Sequence, residues 1–261
     1  MRVLTSVLMV VCLAAFSAGC ITTVNPEATR YLHAADAAFR QGDDPSAIEA
    51  GSRFIQMHPR LEESGEAYYI RGLARCRSGQ VNAGKTDLQT ALTLTKRKDL
   101  LALVHCRLGD IAYQADEMTE SEKHYRQAVK YVRPGAPPAD EAMYRLGCIL
   151  QREGRWREAD LFFSRMVHFF DGEPLAERAT EHAHAVRWSI QAAAMSKVAA
   201  AKQLKNRLER AGLDARTDLE LRNGRVMRLV RVGSYHTYGQ AQADLGKVRT
   251  IVTDAYITSA R

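Results

Sequence analysis

Three stretches of this 261-residue chain superpose on one another without a gap, and that repetition restricts the fold more than any other feature. They are "YYIRGLARCRSGQVNAGKTDLQTAL" (68–92), "HCRLGDIAYQADEMTESEKHYRQAV" (105–129) and "YRLGCILQREGRWREADLFFSRMV" (144–167). Gly72, Gly109 and Gly147 coincide, as do Gly84, Ser121 and Ala159, and Leu88, Tyr125 and Phe163. Small residues recur where two helices must cross closely, and large ones where the second helix meets the next pair. The aligned glycines are 37 and 38 residues apart, and the spacers "TKRKDL" (95–100) and "RPGAPPAD" (133–140) read as loops. A poorer copy over 34–59 keeps Ala47, Ile48, Phe54 and Pro59 but is one residue short in its inter-helix turn. Four helix pairs are therefore expected over 27–171, with a capping helix opening "PLAERATEHAHAVRW" (174–188). Such a stack buries one continuous core and leaves a concave face.

With Leu108, Gly109, Leu146, Gly147, Gly154, Trp156 and Ala159 on its consensus positions, this part of the chain resembles the tetratricopeptide (TPR) repeat. The resemblance implies an α-helical solenoid that holds a protein partner in its groove.

Near residue 187 the periodicity changes. "VRWSIQAA" and "RVMRLVRVG" alternate as strands do, "SKVAAAKQLKNRLERAG" reads as an amphipathic helix, and Asn223-Gly224 marks a hairpin turn. With "ARTDLEL", "YGQAQADLGKVRTIV" and "AYITS" the order is βαββαβ, a small α+β domain. It predicts a four-stranded antiparallel sheet with two helices on one face. Charge shifts at the same place, since residues 187–261 hold fourteen Lys or Arg against six Asp or Glu. The boundaries expected are 27–186 for the helical repeats with their cap and 187–261 for the α+β domain. Alternation sends Ile190, Ala192, Val230 and Val232 toward the helices and Ser189, Gln191, Leu229 and Arg231 onto the helix-free face, exposed to solvent or ligand.

"VRVGSY" at Val230–Tyr235, together with Ile190-Gln191 in "IQAAAM", resembles the two signatures of the SPOR domain, although Ala193 and Met195 stand where that family has Gly and Phe. The resemblance implies a peptidoglycan-binding module of the bacterial envelope, with Ser189, Gln191, Arg231 and Tyr235 as glycan-binding residues. It further implies a preference for glycan stripped of stem peptides and hence a place in cell division.

The N-terminus supplies the location. Arg2 precedes the apolar run "VLMVVCLAAF", too short to span a bilayer comfortably, and "SAGC" ending at Cys20 resembles the lipobox of bacterial lipoproteins. That resemblance implies a signal peptide over 1–19, a lipidated Cys20 holding the chain to a membrane, and a tether over 20–26. Ile21 after the cysteine implies an outer-membrane lipoprotein facing the periplasm. Cys76, Cys106 and Cys148 lie in apolar helical stretches without CxxC spacing, which fits buried free thiols.

Nothing in the sequence reads as catalytic or metal-binding, and no cofactor is expected. His182 and His184 lie two apart on different sides of a helix and read as a solvated helix end, and "GKT" (84–86) lacks a phosphate-cradling loop. Two other readings stay open: an outer-membrane assembly scaffold gripping a client in its repeats, and nucleic-acid binding by the basic C-terminal domain. The second is disfavoured in an exported chain lacking the strand aromatics of an RNA-binding sheet.

Overall fold

A computed structural model describes residues 25–222 and 224–260. The signal segment, Cys20, nearly all of the expected tether, and Asn223 of the hairpin turn lie outside the described residues.

Four helix pairs come first: α1 (Pro26–Gln41) with α2 (Asp44–Met57), α3 (Ser64–Arg77) with α4 (Val81–Leu94), α5 (Lys98–Gln114) with α6 (Met118–Tyr131), and α7 (Ala139–Arg152) with α8 (Trp156–Phe169). The turn inside the first pair is one residue shorter than the other three, as the sequence indicates. "TKRKDL" departs from expectation. Lys98 already opens α5, so much of the added length becomes helix rather than loop.

Each repeated glycine is a notch filled from its own pair. A Cβ on Gly147 would lie 2.7 Å from the Phe163 ring, one on Gly109 2.9 Å from Tyr125, and one on Gly72 3.2 Å from Leu88. The large residues therefore do more than meet the next pair: Tyr125 also joins the cluster of Ala142, Met143 and Leu146, and Leu88 that of Leu100 and Val104. The repeated small residue lies against the same glycine, where Ser121 Oγ donates to Gly109 O at 2.9 Å. Deeper in the stack, the buried Asp87 carboxylate accepts from Arg71 Nη2 at 2.7 Å and Arg75 Nη1 at 2.8 Å.

Helix α9 (Pro174–His182) caps the last pair, and the chain then enters β1 (Arg187–Met195). There follow α10 (Val198–Arg210), β2 (Ala215–Arg222), β3 (Arg225–Tyr235), α11 (Tyr238–Arg249) and β4 (Tyr256–Ala260). The sheet order is β2-β3-β1-β4 with every pairing antiparallel. Ile190, Ala192, Val230 and Val232 pack with Leu204 and Leu208 of α10 and Leu245 and Val248 of α11, so the helices cover one face.

The helical stack and the sheet are joined by a tight contact. Trp188 Nε1 donates to Gln151 O at 2.9 Å, Trp156 Nε1 donates to His236 O at 3.1 Å, and the two indoles lie 5.5 Å apart. Gly154, at φ +80°, lets His236 approach, because a Cβ there would come within 2.6 Å of the imidazole. His182 is no solvated helix end. Its Nδ1 sits 3.1 Å from Gln151 Oε1, its ring stacks on Phe163, and burial lowers its pKa. His184 is exposed, with its Nδ1 3.3 Å from Asp160.

Candidate functional site

Strand register brings three side chains into a row on the helix-free face. Gln191 of β1 pairs with Arg231 of β3 on one side and Tyr256 of β4 on the other, and Gln191 Nε2 donates to Tyr256 Oη at 2.6 Å. They line a cleft of about 740 Å³ with Arg187, Asp218 and Glu220. Glu181 and His182, at the end of α9, also line it, so the helical part borders the cleft.

The face is less open than alternation alone implies. Gln191 is 5% exposed and Ser189 is fully buried, against the expectation of exposed side chains. The reason is the junction. Val186 N donates to Ala260 O, Trp188 is bonded to α7, and residues 188–192 are buried without a break. Ser189 does not line the cleft, and its Oγ has no hydrogen-bond partner among the described residues. Leu229 is 1% exposed as well.

Arg231 is held on its neighbouring strand. Its Nη1 lies 3.2 Å from Asp218 and its Nη2 3.8 Å from Glu220, leaving its side chain 16% exposed. With Glu181, Asp218 and Glu220 facing Arg187 and Arg231, the cleft is of mixed sign. The basic excess of the C-terminal region therefore does not gather there, and a phosphate backbone entering it would meet three carboxylates.

Tyr235 belongs to the other face. Its Oη donates to Asp244 of α11 at 3.1 Å, and its ring packs with Trp188 and Ile257. Burial and the Asp244 carboxylate push its pKa up. The ring lies over Gly233, where a Cβ would come within 2.2 Å of it and φ is +70°; "VRVGSY" thus combines a strand, a notch and the ring that fills it. Tyr256 is what sequence reasoning missed. It is 47% exposed, and the alternation of Tyr256 with Ile257, which packs on the helix side, is the signal that could have found it.

A second cavity, of about 440 Å³, opens between α1, α3, α4 and α5, with Phe39, Tyr69, Leu73 and Ile111 beside Arg77 and Arg107. Cys106, Asp110 and Glu141 stand close enough together to hold a metal ion. Arg107 Nη1 already lies 2.9 Å from Asp110 and 3.3 Å from Glu141, Tyr125 Oη donates to Asp110 at 2.6 Å, and burial pushes the Cys106 thiol pKa up, so the cluster is satisfied as an ion-pair network. Cys76, Cys106 and Cys148 are free, with Cys76 and Cys148 only part-buried.

Residues 185–258 match the SPOR domain family. The helical part has the fold of a tetratricopeptide repeat protein from Parabacteroides merdae, at 13% identity and a TM-score of 0.50 over 60% of this chain. The match spans 59% of that protein's length. Also similar are YrrB, described as a TPR protein with an unusual peptide-binding site (18% identity, 60% of this chain, 74% of that one, TM-score 0.48), and pilF of Pseudomonas aeruginosa (13%, 59%, 65%, 0.49). No curated protein matches the chain. Among the described residues no helix is long and apolar enough to cross a membrane.

Proposed function

We propose that this chain, a tetratricopeptide-fold scaffold carrying a SPOR domain, is an envelope lipoprotein that holds peptidoglycan glycan strands in the cleft of its sheet while its repeats recruit a protein partner. The SPOR domain supplies peptidoglycan binding and the repeat fold supplies protein interaction. The observation that carries the finer reading is the row Arg231–Gln191–Tyr256. A glycan strand offers hydroxyls, acetamido groups and apolar sugar faces, which guanidinium, amide and phenol groups can meet together. The carboxylates on the walls add acceptors for sugar hydroxyls. Ser189 and Tyr235 are not in this constellation.

The cavity between α1, α3, α4 and α5 suits an apolar side chain of a protein partner, since Arg77 and Arg107 at its wall are already paired with Asp44 and with Asp110 and Glu141. Anchoring by lipid on Cys20, outer-membrane location and recruitment to division septa complete the proposal. They rest on the sequence resemblances.

The test is co-sedimentation of the chain with purified sacculi, alone and in competition with the soluble glycan strands that an amidase releases when it removes the stem peptides. Pelleting that these strands compete away supports the reading, and failure to pellet with sacculi overturns it. In cells, Cys20→Ala should abolish acyl labelling; normal labelling of that variant removes the anchor from the proposal.

A further inference from the structure

The β2–β3 hairpin carries its apolar surface on the outside. Leu221 is 71% exposed, Leu219 69%, Val198 60% and Val226 50%. They are contiguous. Leu221 and Val226 are direct ladder partners, Leu219 lies two residues along the same face, and Leu219 shares a shallow cavity of about 190 Å³ with Val198, Lys202, Lys205 and Arg228. Helix α10 buries Ala215 at the start of β2, but the hairpin runs on, leaving these side chains in water.

The surrounding charge is one-sided. Lys197 caps α10 directly before Val198, Lys202 is exposed one turn on, and Arg228 Nη1 donates to Ser196 O at 2.8 Å, which holds its guanidinium at the start of that helix. Lys205 is paired with Glu209 at 2.7 Å. Asp218 and Glu220 alternate onto the opposite face, where they hold Arg231. Strand parity thus sends the acids of β2 into the cleft and its leucines outward among cations.

We propose that this hairpin patch docks on an anionic phospholipid surface, the aliphatic side chains entering the headgroup boundary while Lys197, Lys202 and Arg228 meet the phosphates. Exposed aliphatic side chains ringed by cations complement such a surface in both respects. A second copy of the chain fits less well, since two such patches face to face would oppose cations to cations. The inference does not depend on the glycan reading, because the patch and the cleft lie on opposite faces of the sheet.

The test is flotation with vesicles, using the chain from Ile21 onward so that no acyl group contributes. Binding is expected to vesicles of equal parts phosphatidylglycerol and phosphatidylethanolamine, to fall with added salt, and to be absent from phosphatidylcholine vesicles. Leu219→Ser with Leu221→Ser should weaken it roughly tenfold or more, and Lys202→Gln about fivefold. All three side chains are exposed, so the fold should persist, checked by an unchanged melt and unchanged sacculus pelleting. The inference is overturned by absence of vesicle binding or by undiminished binding of the double leucine variant. A dimer abolished by that variant without vesicle binding overturns it too, and assigns the patch to self-association.

Discussion

Gln191 stands directly opposite Arg231 in the β1–β3 ladder while its amide donates to the Tyr256 hydroxyl on β4, so its side chain ties β1 to β4 beside Arg231. Gln191→Ala should therefore cost stability as well as ligand, about 1 kcal/mol for a buried side-chain hydrogen bond. Tyr256→Ala removes the same hydrogen bond from the buried Gln191 amide, so it should cost a comparable amount, about 1 kcal/mol, and also weaken sacculus binding. Melts and pelleting on the two variants separate these contributions. A Tyr256→Ala variant that binds as tightly as the parent would take the phenol out of the site.

The Trp188–Gln151 and Trp156–His236 bonds tie the sheet to the last helix pair. Trp188→Ala should destabilise by about 3–5 kcal/mol, the cost of emptying a buried aromatic site. It should also split one unfolding transition into two in calorimetry, because both parts keep cores of their own. Retention of a single transition would mean that other contacts carry the coupling.

Asp87 receives both Arg71 and Arg75 while almost wholly buried. Replacing it with Ala leaves two guanidinium groups without their counter-ion, and a loss of about 3–5 kcal/mol is expected in urea unfolding. Arg75→Met should cost less, since Arg71 still neutralises the carboxylate. The reverse ranking would contradict this assignment.

Stability should fall on mild acidification. His105 and His124 place their Nδ1 atoms 3.0 Å apart; burial, then the neighbouring His124, pulls the pKa of His105 down to about 4, and burial lowers that of His124. Between the ordinary histidine value and that depressed one the unfolded chain binds more protons than the folded chain. The contribution is therefore complete above about pH 6.5 and lost progressively toward pH 4. Between pH 6.5 and 5, above the range of the paired carboxylates, His105→Phe should flatten the dependence of the thermal midpoint on pH. An unchanged slope would assign the sensitivity to other groups.

Sequence pattern carried the repeats far, because small and large residues recurring at fixed spacing leave a periodic trace, whereas the seating of Tyr125 on Gly109 and of Phe163 on Gly147 inside their own pairs emerged only from the structure. Strand parity likewise fixed which side of the sheet Gln191 and Arg231 occupy. Parity says nothing about what lies above a face. The burial of Ser189 and Gln191 depends on α7 and α9 meeting the sheet, a contact made by Trp156 and Trp188, each of which reads locally as ordinary core. Tyr235 joined the helix side because Gly233 at positive φ lets the ring fold over it, a backbone property invisible to alternation. Asp218 and Glu220 reach Arg231 only through the β2–β3 register.

The most direct measurement is a ¹⁵N–¹H titration of the chain with soluble glycan strands that lack stem peptides. The expected result is saturable shifts concentrated at Gln191, Arg231 and Tyr256, together with Glu181 at the edge of the cleft and little change at Leu219 and Leu221. Shifts confined to the helix-bearing face around Tyr235 and Asp244, or none at saturating glycan, would contradict the assignment of the cleft.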